Sequence, residues 1–191
     1  PRRPMIDRYS LSPMKDLWTE EGKFQSWLDL EMHVCEYWAK QGRIPKEDLE
    51  TIKTKARIDV ARIEEIEATV RHDVIAFTTQ LAEEIGPPSR FVHMGLTSSD
   101  VVDTAQALRM ARASDIIADD LEKIHATLTD LARKHAHTPM MGRTHGMHAE
   151  PTTMGLKALV WREEFGRHIK RFAAARENIS FGKISGAVGT A

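Results

Sequence analysis

The feature that most limits how this chain folds is a long stretch free of helix breakers: glycine is absent from Leu96 to Met141 and proline from Ser89 to Thr138. Within it Ile117, Leu121, Ile124, Leu128 and Leu131 recur at alternating spacings of four and three, the apolar seam of a helix packed almost parallel to its neighbours. No period-2 pattern of useful length competes with it. The expected fold is therefore all-α: a small amino-terminal helical domain over residues 1–111, then the first part of a long-helix bundle over 112–191.

The remaining helices follow from their punctuation. Ser12 and Pro13 read as the cap and first residue of a helix carrying Phe24, Trp27, Leu28, Cys35 and Trp38 on one face until Gly42. Pro45 opens a short helix through Leu49 and Ile52, and Asp59 caps another with Ile63 and Ile66. The stripe Val74, Phe77, Leu81 and Ile85 stops at Gly86. A last helix is expected from near Pro151, carrying Trp161, Phe165, Ile169, Phe172 and Ile179.

Composition narrows the partners. Lys and Arg number 27 against 28 Asp and Glu, so the basic excess that sustains phosphate contacts with nucleic acid or a membrane surface is missing. No apolar run approaches the roughly 18 residues needed to span a bilayer. The single cysteine, Cys35, cannot form an internal disulfide, and the first 20 residues lack the apolar core of a secretory signal. A soluble, cytoplasmic protein is expected, with Cys35 an inert buried thiol.

Three polar segments interrupt the helices. Arg71-His72-Asp73 sets a cation, an imidazole and a carboxylate side by side, which is also what a solvated turn with a weak ion pair looks like. Gly95-Leu96-Thr97-Ser98-Ser99-Asp100 precedes the long helix. Its hydroxyls suit helix capping, and they also suit an anion held at the helix end. His135 to Glu150 is densest, with His135, His137, His145 and His148. Their spacings of two and three, with no cysteine nearby, argue against a metal site. Gly142-Arg143-Thr144-His145-Gly146 reads either as a site in which glycines let a ligand approach an imidazole, or as a plain connection between helices. The glycine-rich end, Gly182 to Ala191, matches neither phosphate-loop pattern.

These segments, in order, resemble the amino-terminal portion of the adenylosuccinate lyase family, within the aspartase and fumarase superfamily. The resemblance runs through Met5-Ile6-Asp7-Arg8-Tyr9-Ser10, Arg71-His72-Asp73-Val74, Val92 to Thr104 and Met141 to Thr153. Pro1 to Pro4 fall outside it. It implies a lyase that eliminates fumarate from adenylosuccinate to give AMP, and from the succinylated carboxamide ribotide of purine synthesis, with no cofactor or metal. By resemblance His145 is the general acid, and Arg8, Tyr9, Arg71, His72, Asp73, His93, Thr97 and Ser98 bind substrate. The family's members are homotetramers acting on a small-molecule substrate, without nucleic acid or membrane partners. Their catalytic base is a serine on a Gly-Ser-Ser-x-Met-Pro loop that has no counterpart in these 191 residues, so the chain resembles less than half of a member and is expected to be inactive alone. Alternatives are another fumarate-releasing enzyme of the superfamily, such as argininosuccinate lyase, or a non-catalytic helical interaction protein.

Overall fold

The computed structural model describes residues 6–190. Pro1 to Pro4, Met5 and Ala191 lie outside the described residues. The chain forms two compact units, one comprising the residues up to Arg112 together with those from Ser180 onward, the other Ala113–Ile179. The segment from Ser180, which the sequence reading placed with the bundle, packs with the first unit.

The first unit holds α1 (Met14–Leu17), α2 (Glu20–Lys40), α3 (Lys46–Lys55), α4 (Val60–Val70), α5 (Asp73–Ile85) and the beginning of α6 (Ser98–Lys134). Short 3-10 turns occupy Asp7–Tyr9 and Pro87–Phe91. The single helix expected from Ser12 to Gly42 is broken. Thr19 caps α2 by accepting from the Gly22 amide at 2.9 Å, while the Ser12 hydroxyl donates to Asp16. Gly22 allows the break, because a Cβ there would stand 2.2 Å from the Asp16 carbonyl oxygen. Capping at Asp59 and the four-residue stripe of α5 are as the spacing predicts, with Val74, Phe77, Leu81 and Ile85 all buried. The core is centred on an aromatic trio. Trp27 meets Phe24 and Phe77 edge to face at 5.2 and 5.5 Å, the geometry that ring quadrupoles favour.

The second unit is built from the rest of α6, a hairpin of β1 (Pro139–Thr144) and β2 (Met147–Thr153), and α7 (Met154–Asn178). The hairpin corrects the expectation of a loop between helices and of no strand. Pro139 pairs with Thr153 and Thr144 with Met147, and the register slips between Met141 and Arg143. Glycine is required at the slip, since a Cβ on Gly142 would lie 2.4 Å from the Glu150 carbonyl oxygen. Pro151 is consequently a strand residue, and α7 starts later, capped by the Thr153 hydroxyl.

α7 runs back along α6. Arg176 grips Asp115, Gly166 faces His125, Arg162 reaches Thr129, and Gly155 lies against Ala132 and Ala136. The seam of α6 is not closed by this pairing, for Ile117 and Ile124 stay 41% and 40% exposed. Among the described residues no helix is long and apolar enough to cross a membrane.

Candidate functional site

The polar segments occupy helix ends and turns. Arg71 terminates α4 in the left-handed conformation, φ 58°, which few residues other than glycine adopt readily. The chain thereby reverses, and His72 becomes the N-cap of α5, its Nδ1 accepting from the Ile75 amide at 3.4 Å. Asp73 opens the helix, with Oδ1 on its neighbour's amide at 2.8 Å and 3.5 Å from His72 Nδ1. A carboxylate in a first turn also complements the positive end of the helix.

The segment from Phe91 to Gly95 is held by one face of α2. Cys35, the buried thiol, points at the Phe91 carbonyl at 3.8 Å, and burial first, then the Glu31 and Glu36 charges, push its pKa up to about 12. It is therefore inert as a nucleophile. Trp38 Nε1 donates to the Met94 carbonyl at 3.0 Å, and a Cβ on Gly95 would meet the same indole at 3.5 Å. Between these contacts stands His93, φ 66°, whose backbone N–H and ring Nδ1 both meet Glu31, at 2.8 and 2.7 Å.

Thr97 and Ser98 lie where α6 begins. The cap is made in reverse of the simple expectation: the carboxylate of Asp100 reaches back to the Thr97 amide at 2.9 Å, one half of a capping box. Asp100 is fully buried. Its other oxygen accepts from the Lys183 ammonium and the Ser185 amide, each at 3.0 Å. Burial opposes its ionisation, but the Ser185 and Thr97 amides and the Lys183 charge prevail and hold its pKa down to about 2. Lys183 also donates to Ser99 at 2.6 Å, and its backbone exchanges two bonds with the Thr104 hydroxyl.

Arg8 and Tyr9 are exposed and pair with each other, the guanidinium donating to the phenol at 3.0 Å. Among the described residues no hydrogen bond or ion pair joins the Arg8, Arg71, His93 and Thr97 groups to one another.

His145 belongs to the second unit. It and Gly146 form the two-residue turn of the hairpin, with φ 50° and 73°, the doubly positive pattern of a mirror-image turn that matches strand twist. The imidazole is therefore displayed, exposed, at the tip of a short hairpin. His135 turns instead to the Thr138 hydroxyl at 3.1 Å. Among the described residues no group of three His, Cys, Asp or Glu side chains converges as a metal ion requires.

Sequence reasoning missed Glu31, Lys183 and the role of Asp100 as a hub. Glu31 carried a signal: an acid standing between Trp27 and Cys35 on an otherwise apolar helical face.

The profile of the family described as Lyase matches residues 8–191. Adenylosuccinate lyase of Bacillus subtilis (strain 168) is 50% identical over 186 residues, and that of Aquifex aeolicus (strain VF5) is 51% identical over 189. Each match takes in 97% of this chain, which spans 43% of the length of either relative. Among solved structures, a fumarate lyase from Mesorhizobium sp. BNC1 superposes with a TM-score of 0.88 at 29% identity, over 98% of this chain and 45% of its own.

Proposed function

The chain belongs to the lyase family whose profile spans residues 8–191, and from that premise we propose that the whole protein eliminates fumarate from adenylosuccinate, giving AMP, and from the succinylated carboxamide ribotide of purine synthesis. The observation that carries this reading is the identity of about half of all aligned residues with enzymes named adenylosuccinate lyase.

The chemistry breaks one C–N bond. A base removes the Cβ proton, the C–H electron pair becomes the new C=C bond, and the C–N pair leaves on nitrogen, which takes a proton from an acid. His145 is that acid in this reading, supported by its display on a turn that fixes the backbone and leaves the ring free. Imidazoles as a class exchange protons near neutrality. Thr97 and Ser98, at the start of α6 where the Asp100 carboxylate already holds the Thr97 amide, offer hydroxyls that suit a substrate carboxylate. Arg8, Tyr9, Arg71, His72, Asp73 and His93 are assigned to the nucleotide, where cations meet phosphate and polar side chains meet ribose. The base comes from the part of the whole protein beyond these residues. A cytoplasmic homotetramer completes the proposal.

The test is a substrate panel on the whole protein, followed by fumarate absorbance. Release from both purine substrates is expected. Release from argininosuccinate alone would transfer the assignment to that lyase, and no release from any substrate would favour a helical interaction protein.

A further inference from the structure

His93 presents a puzzle that the substrate-site assignment leaves open. A histidine in the left-handed region, φ 66°, carries a conformational cost that persists only where its surroundings over-determine it. What determines it here is Glu31, whose side chain is completely buried. A buried carboxylate must have its oxygens satisfied, and both are satisfied by one residue: Oε2 by the His93 backbone N–H at 2.8 Å, Oε1 by His93 Nδ1 at 2.7 Å. Holding the loop alone would need only the first bond. The second fixes the ring about its own axis and commits Nδ1 inward, while Nε2 has no partner among the described residues on a side chain 24% exposed. Trp38 at the Met94 carbonyl and Cys35 at the Phe91 carbonyl flank this clamp from the same face of α2, so the ring is referenced to a helix and not to a mobile loop.

We infer that Glu31 is a positioning residue for His93: its buried carboxylate holds the proton on Nδ1 and presents Nε2 as the only nitrogen available to substrate. The inference rests on the reading that His93 lines the substrate site, and it adds a residue outside that site on which its geometry depends. A carboxylate can only accept, so the proton of the bond stands on Nδ1. A neutral Glu31 would reverse the bond and place the ring proton on Nε2.

Two variants separate orientation from folding. Glu31→Gln keeps the shape but offers one acceptor where two are used. His93→Asn keeps a short donor toward Glu31 and tolerates the left-handed backbone, yet deletes Nε2. The first readout is the histidine tautomer, from long-range proton–nitrogen correlation spectra of the 191-residue chain at pH about 9, where an ordinary imidazole is neutral. The Nδ1–H form is expected for His93 in the parent and its loss in Glu31→Gln. An Nε2–H ring in the parent, or one indifferent to Glu31→Gln, overturns the inference. The second readout is turnover of adenylosuccinate by the whole protein. Each variant should lose on the order of tenfold or more, as misplaced groups do, and Glu31→Gln should cost nothing further in the His93→Asn background. If the tautomer depends on Glu31 while both variants turn over like the parent, the clamp exists but His93 does not serve substrate. That result overturns the inference through the site assignment alone.

Discussion

At the level of single residues, His145 combines an unusual backbone with an exposed ring. Its φ of 50° is followed by 73° at Gly146, and a substitution there changes the turn as well as the chemistry. The two separate if His145→Ala is compared with His145→Asn, because asparagine adopts the left-handed region more easily. Both should lower kcat of the whole protein by about 10²- to 10⁴-fold with little change in KM, since a proton donor acts chiefly in the transition state. Steady-state kinetics check this, and an unchanged kcat in His145→Asn removes the acid assignment. The two glycines framing His145 mark that segment either as a ligand site or as a plain connection, and only the family resemblance singles the ring out as the acid. Glu31 stands out in the sequence only as an acid inside an apolar stripe, and its role shows once its two bonds to His93, 62 residues away, are seen.

Whole elements meet at a few atoms, and these points set their stability. A Cβ on Gly155 would stand 2.6 Å from both the Ala132 carbonyl oxygen and the Ala136 Cα, backbone atoms that cannot swing aside. Gly155→Ala is thus expected to destabilise the α6–α7 pairing by about 1–3 kcal/mol, measurable by urea unfolding. The start of α6 responds to acid instead. The Asp100 carboxyl titrates at about 2 in the folded chain against an ordinary 3.8, so its contribution is fully present above pH 4 and is lost as pH falls toward 2. Melting temperatures recorded across that window should fall less steeply in Asp100→Asn than in the parent. The helices themselves were readable, since Val74, Phe77, Leu81 and Ile85 follow the helical period that burial imposes. The hairpin was not: Met140, Met141, Arg143 and Thr144 show no apolar alternation, and the slip at Gly142 breaks the period again. Its one available signal was the two-residue turn ending in Gly146.

For the molecule as a whole, the second unit leaves much apolar surface uncovered. Ile117, Ile124, Leu156, Leu159, Val160 and Trp161 are each 40% exposed or more, and at about 25 cal/mol per Å² a few hundred Å² of such surface drives association by several kcal/mol. Light scattering on the 191-residue chain should therefore show self-association, and a fumarate assay on the same sample should show no turnover. A stable monomer would contradict the packing argument, and activity would contradict the assignment of the base to residues outside this chain. The path of the backbone has a separate consequence. Because the first unit is finished by Ser180 and its successors, the second is an insertion within it. Asp100 receives Lys183 and Ser185 across 83 and 85 residues. A nascent chain leaving the ribosome therefore exposes α1 to α5 long before it can seal the start of α6, and of these two units the one begun first is completed second.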